Sequence, residues 1–257
     1  DYFRERREGI FLQAASIPRI SGLSTSPWIN AGKMKNHGVD ASLEYHQTIG
    51  KVQLTVRGNF TYAHNTILDN DQPRWAEPYL NKIGQSNWQE YGLVAAGLFS
   101  SQEEIDAWPT QAWGEVHPGD IKYLDLNGDG KVDTYDCKPI GYPNVPEITY
   151  GFGASVKWKG FDFSVFFQGT ANTSLVMSGF HPFGINNNVK RNVMQFVADD
   201  YWSESNPNIY AAYPRLSFVE YGNNTVASTY WLRDASFLKL KNAEIGYTYK
   251  KMRFYIS

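Results

Sequence analysis

The chain has 257 residues, a formal net charge of -2 and a pI near 6.2, so it carries no electrostatic footprint for nucleic acid. Mean hydropathy is -0.45, and no apolar run approaches the roughly 18 residues of a membrane-spanning helix. A membrane β-strand escapes both tests, because it needs only about 10 residues with alternate ones apolar.

Period-two alternation dominates the chain. The opening Tyr2–Leu12 stretch is a weak strand and 13–35 reads as a long loop. Val39, Ala41, Leu43 and Tyr45 then alternate with Asp40, Ser42, Glu44 and His46. A tight turn around Thr48–Gly50 leads to Val52, Leu54, Val56, Phe60 and Tyr62, which alternate with Gln53, Thr55, Arg57, Asn59 and Thr61. A second long connection spans 66–146. Within it, Ser100-Ser101-Gln102-Glu103-Glu104-Ile105 predicts a short helix, since either Ser caps it with a Glu three residues on.

The clearest strand runs from Ile148 to Trp158: Ile148, Tyr150, Phe152, Ala154, Val156 and Trp158 share one face, and Thr149, Gly151, Gly153, Ser155 and Lys157 the other. After a turn at Lys159–Gly160, Phe161, Phe163, Val165 and Phe167 alternate with Asp162, Ser164 and Gln168, with Phe166 out of phase. A third long connection covers 171–235. Ala243, Ile245, Tyr247 and Tyr249 form the next strand, a turn falls at Lys250–Lys251, and Met252, Phe254 and Ile256 begin another.

About seven strands are thus expected, with short and long connections in strict alternation. Antiparallel neighbours then carry every short turn at one end and every long loop at the other, the asymmetry of an outer-membrane barrel. Compact soluble domains rarely hold connections of this length. A secreted, calcium-stabilised carbohydrate-binding β-sandwich is the alternative; it accounts for the aromatics but not for the connection pattern.

Residues 125–136 read DLNGDGKVDTYD. Numbered as an EF-hand loop, Asp125, Asn127 and Asp129 take positions 1, 3 and 5, and Gly130 takes the sharp turn at 6. Lys131 offers a carbonyl at 7, Asp133 stands at 9 and Asp136 closes the loop at 12. This spacing suits structural calcium, although Asp replaces the usual Glu at 12. An Asp/Asn/Gly-rich turn without metal is the competing reading.

Around that loop, PGDIKYLDLNGDGKVD (118–133), IGYPNVPEITYGFG (140–153), KGFDFSVFFQG (159–169) and YWLRDASFLKLKNAEIGYT (230–248) resemble successive blocks of SusC/RagA-like TonB-linked proteins. DYFRERREGIFL and NAGKMKNHGVDASLEY (30–45) are similar to the same family's barrel. The resemblance implies an all-β fold: the C-terminal part, incomplete at both ends, of a large transmembrane β-barrel of the 22-stranded type with long extracellular loops. It further implies residence in the outer membrane of a Gram-negative bacterium, contact with outer-membrane lipid, energy supplied by TonB through a plug region, and a SusD-like lipoprotein partner. The expected cargo is an oligosaccharide, or a peptide as in some relatives.

No catalytic constellation emerges. Glu103, Glu104 and Asp106 are accounted for by a helix N-terminus, and the five histidines lack useful spacing. The chain is expected not to be an enzyme. Trp75, Trp88, Trp108 and Trp113 either stack on sugar rings or pack within the folded loop or against a partner.

Overall fold

The computed structural model describes residues 1–17, 19–177, 192–217 and 222–257. Among them, seven strands form one antiparallel sheet in chain order. We label them β1 (Tyr2–Gln13), β2 (Trp28–Ile49), β3 (Val52–Asp69), β4 (Ile148–Trp158), β5 (Phe161–Ala171), β6 (Phe237–Tyr249) and β7 (Met252–Ile256). The β2–β3, β4–β5 and β6–β7 connections are two-residue turns, all at one end of the sheet. In the β4–β5 turn both residues adopt positive φ, Lys159 at 49° and Gly160 at 88°, as a hairpin of type I′ requires.

The register aligns the apolar faces of β2 to β7. Val39, Tyr62, Ile148 and Ala171 stand in one row across the sheet. Leu43, Gly58, Phe152, Phe167 and Leu240 form another, and Tyr45, Val56, Ala154, Val165 and Ala243 the next. The last row is Ile49, Val52, Trp158, Phe161, Tyr247 and Phe254. Gln47 is the one amide among these positions, and the Tyr45 hydroxyl donates to its Oε1 at 2.8 Å. From Val39 to Ile49 the strand covers about 33 Å at ~3.3 Å per residue. A tilt of about 40° reduces that to roughly 25 Å, the height of the apolar band of an outer-membrane barrel.

The opposite face is polar. Ser42, Asn59, Gly151, Gln168 and Lys239 share a row, followed by Glu44, Arg57, Gly153, Phe166 and Asn242. Phe166 lies on this polar face because Gly151 and Gly153 leave it room. A Cβ added at Gly153 would sit 2.7 Å from the Phe166 ring and 2.3 Å from the Val165 carbonyl oxygen. The Arg57 guanidinium covers the ring at 4.9 Å.

Three stretches without clean alternation also belong to the sheet. β2 begins at Trp28, so the expected loop 13–35 shrinks to 14–27. Its pairing with β1 is irregular between Glu8 and Ile10 and between Ile10 and Phe11, and each such irregularity shifts the phase of the pattern. β3 continues to Asp69 past a register shift between Lys33 and Met34. In β6, Leu238 and Leu240 share the apolar face with Ala243 and Ile245, because the β5–β6 register shifts between Phe166 and Phe167.

The buried core lies outside this sheet. Leu93, Leu98, Ile121, Tyr123, Val132, Val197, Trp202, Ala211, Tyr213 and Trp231 cluster within the two long connections. The sheet meanwhile leaves Leu43 73%, Phe152 46%, Phe163 49% and Ile245 56% exposed. A β-sandwich would bury this face against a second sheet; among the described residues no such sheet covers it, so the sandwich reading is not favoured.

In the full-length protein, inserted as a membrane barrel, Val165→Arg on the apolar face should destabilise the sheet by about 2–4 kcal/mol, the cost of a charge near the bilayer midplane. Ser164→Arg on the polar face should cost much less. Denaturant unfolding in detergent micelles, read as the heat-modified shift in gel mobility, compares the two variants.

Candidate functional site

Three features stand at the end of the sheet away from the turns. The first is a depression of about 380 Å³ lined by Glu5, Arg7, Met34, Asn36, Asn65 and Trp88. Glu5, Asn36 and Asn65 share a row of the polar face. Arg7 donates from Nε to Glu5 Oε1 at 2.7 Å, and Asn65 Oδ1 accepts from the Asn87 backbone at 2.8 Å. Trp88 is 52% exposed beside them. An indole face next to amides and an ion pair can stack on a sugar ring while hydrogen-bonding its hydroxyls.

The second is the folded unit made by the long connections. Ile121–Tyr123 pairs with Ala95–Leu98 and is clamped on its other side by buried amides. Gln111 donates to the Ile121 carbonyl at 3.0 Å and accepts from the Tyr123 N–H at 2.7 Å. Asn224 Oδ1 accepts from the Ile121 N–H at 3.0 Å, and the Tyr123 hydroxyl donates to the Asn223 carbonyl at 2.8 Å. Asp120, fully buried, accepts from Arg215 at 2.6 and 3.2 Å, from Asn224 at 2.7 Å and from the His117 N–H at 2.8 Å. Buried polar groups are tolerated only when satisfied this fully. These bonds fasten the 172–236 connection to the 70–147 connection, so the two form one body.

The predicted helix is present as α1 (Gln102–Asp106), where Ser101 caps Glu104 and Glu104 accepts from the Ser100 N–H at 2.8 Å. Lys122 pairs with Glu104 and lies over the Trp108 ring at 5.0 Å. Burial raises the Glu104 pKa, but hydrogen bonds from Lys122 and Ser100 outweigh it and hold the carboxyl down to about 2. Glu103 and Asp106 sit on the same short helix, where Gln102 donates to Asp106 Oδ1 at 2.8 Å. Trp108 donates to the Tyr123 carbonyl at 2.8 Å and Trp113 packs edge-on against Tyr123. Both are therefore structural, whereas Trp75 and Trp88 are 39% and 52% exposed.

The third is the 125–136 loop. Asp125 accepts from the Gly128 and Gly130 N–H groups at 2.7 and 2.8 Å, and Gly130 takes φ 84° as position 6 demands. Asn127 accepts from Asp129 at 3.0 Å, and Asp129 from Lys131 at 2.9 Å. Asp133 caps the following turn through the Tyr135 N–H at 2.7 Å. Asp136 is fully buried, with Oδ1 accepting from Leu126 and Asn127 and Oδ2 from Asp133. In this geometry the side chains serve the loop's own N–H groups, and among the described residues no three acidic, His or Cys side chains converge as a metal cluster. The donors remain suited to calcium, since an ionised carboxylate offers about four lone-pair sites and Asp125 uses two here.

No family profile matches the sequence. The chain is 30% identical over 268 residues to TonB-dependent receptor P26 of Formosa agariphila, covering 96% of this chain and 25% of that protein. It is 24% identical over 264 residues to TonB-dependent receptor SusC of Bacteroides thetaiotaomicron, covering 98% and 24%. Among solved structures it is similar to the RagAB peptide transporter, with TM-score 0.64 and 23% identity over 96% of this chain and 26% of that one. The chain thus spans about a quarter of the length of these relatives.

Between pH 4.5 and 2 the Glu104–Lys122 contact should fail. The folded carboxyl titrates near 2 against an ordinary 4.5, so its stabilisation is complete above the higher value and is lost as pH falls through the lower. Pepsin nicking within 95–124 should accelerate across that window in the full-length protein. Glu104→Gln should be nicked at a rate that varies less with pH over the same window.

Proposed function

We propose that this chain, which is similar to SusC/RagA-type TonB-dependent receptors along nearly all of its length and has the fold of their outer-membrane β-barrel, forms one wall and part of the extracellular face of a TonB-dependent nutrient importer. The observation that carries this reading is the partition of side chains: apolar rows along about 33 Å of strand on one face, polar rows on the other, and the buried core displaced into the loops. Lipid outside and water inside account for all three.

The cargo we propose is an oligosaccharide, taken along the polar face past Trp88, Asn36 and Asn65. A peptide is the competing cargo, favoured by the likeness to the RagAB peptide transporter. The unit built from the long connections would seat a SusD-like lipoprotein, and TonB would act through a plug region. Exposed apolar side chains such as Ile20 at 95% and Tyr210 at 87% offer a partner contact area at that end.

Cells carrying the intact receptor should take up labelled oligosaccharide, and Trp88→Ala should reduce uptake about tenfold, as loss of a stacking contact of ~1–2 kcal/mol implies. Peptide uptake with no oligosaccharide uptake would select the competing cargo.

We further propose that calcium fills the 125–136 loop, held by Asp125, Asn127, Asp129, the Lys131 carbonyl, Asp133 and Asp136. It would supply only a structural cross-link, with no part in moving cargo. Chelator should speed proteolysis within 113–146, and Asp129→Ala should mimic the chelator. Identical cleavage rates in all three conditions would exclude the metal.

A further inference from the structure

The side of the sheet that carries the apolar rows changes character at its loop end. The last apolar row there runs Tyr2, Val39, Tyr62, Ile148 and Ala171. The next row on the same side is Arg4, His37 and His64, and the one beyond it Arg6, Lys35 and Thr66. Pairing through this stretch is regular, because the shifts lie beyond Glu8 in β1 and between Lys33 and Met34 in β2. Strict alternation therefore keeps these residues on the apolar side. Ring contacts agree, since His37 lies edge-on to Tyr62 at 6.5 Å and to His64 at 5.6 Å. The polar face carries Glu5, Asn36 and Asn65 over the same stretch.

Height decides what the basic rows meet. Two residues advance about 6.6 Å along a strand, or about 5 Å along the membrane normal at a tilt near 40°. The two rows thus stand about 5 and 10 Å above the last apolar row. The headgroup layer on each side of a bilayer is about 5–8 Å thick, so long basic side chains from both rows reach phosphate level.

The positive charge there is incompletely compensated. Glu8 pairs with Arg6 at 2.8 Å, Asp69 reaches Lys33 at 3.8 Å, and Glu147 bonds His64 Nδ1 at 2.5 Å. Among the described residues no acid engages Arg4 or Lys35. Arg6 and Lys35 are direct cross-strand partners, and like charges facing each other across a ladder repel. The Arg6–Glu8 pair is exposed on both sides, at 63% and 55%, so it offsets little of that repulsion. Diagonal neighbours in a sheet lie about 7–8 Å apart, which lets Arg4, Arg6 and Lys35 close on one anion.

Resting on the barrel reading above, we propose that this patch binds the phosphate of an anionic lipid in the leaflet on the loop side. The Arg4 and Arg6 guanidinium groups and the Lys35 ammonium would hold the phosphate oxygens. The acyl chains would lie on the apolar rows directly below, along Val39 and Leu43. A soluble anion gains only the charged half of this contact, and a lipid without phosphate only the apolar half.

The test melts the full-length protein in neutral detergent with bisphosphorylated lipid A, with the same lipid stripped of its phosphates, or with inorganic phosphate. The phosphorylated lipid should raise Tm, and the other two should leave it unchanged. Arg4→Gln, Arg6→Gln and Lys35→Gln, made singly so that each variant still inserts, should raise the lipid concentration at half-maximal shift about fivefold, as ~1 kcal/mol per basic residue implies. Lys250→Gln with Lys251→Gln, at the opposite end of the sheet, should leave that concentration unchanged. An equal rise with the stripped lipid or with inorganic phosphate, or no rise with any of the three, would overturn the proposal. So would undiminished affinity in the Gln variants, or an equal loss in the Lys250 and Lys251 variant. Heat-modified gel mobility separately reports whether the protein is a barrel, so failure of that reading is distinguishable.

Discussion

A strand that crosses hydrocarbon must have every backbone N–H and C=O paired within the protein, because no water is present to accept them and each orphan costs several kcal/mol. The whole arrangement follows from that requirement. Continuous antiparallel pairing from β1 to β7 meets it along the interior strands, and once pairing fixes the register, one side of every strand must be apolar. The aligned rows from Val39 to Ile49 and across to Ile245 and Tyr247 are the result. Small departures are absorbed locally: Gln47 is bonded by Tyr45, and Phe166 is housed over Gly151 and Gly153.

The same requirement explains why the core is elsewhere. The sheet cannot bury its apolar face against protein and also present it to lipid, so ordinary hydrophobic packing is left to the long connections. These are long enough to build their own interior around Trp231 and Tyr123. Their short strands, such as Ile121–Tyr123, cannot satisfy all their backbone groups by pairing, and the side-chain amides of Gln111, Asn223 and Asn224 complete the bonding. One polypeptide therefore follows two solvent rules, with the boundary falling where the alternation stops.

That boundary also decides what was legible in the sequence. Ile148–Trp158 and its hairpin partner read correctly because a strand buried on one face alternates without interruption. The stretches 28–35 and 237–242 escaped because register shifts break the phase, and a pattern of fixed period cannot follow an inserted residue. The α1 cap was readable from Ser101 and Glu104, which lie within one turn. The clamp on Ile121–Tyr123 was not, since Gln111, Asp120, Asn223 and Asn224 meet across about a hundred residues of chain. Of the four tryptophans weighed as stacking platforms, only the fold separates Trp88, exposed on the polar face, from Trp108 and Trp113, which hold the loops together.

The central claim is that one face of the sheet meets lipid and the other water. Nitroxide labels test it in the full-length protein reconstituted in bilayers, in a Cys137→Ser background. Labels at Phe152→Cys and Phe163→Cys should be relaxed by oxygen, which concentrates in lipid, and shielded from a water-soluble paramagnetic reagent. Labels at Ser155→Cys and Ser164→Cys, one residue away from the apolar face, should show the reverse. Equal access of the aqueous reagent to both sets would contradict the account.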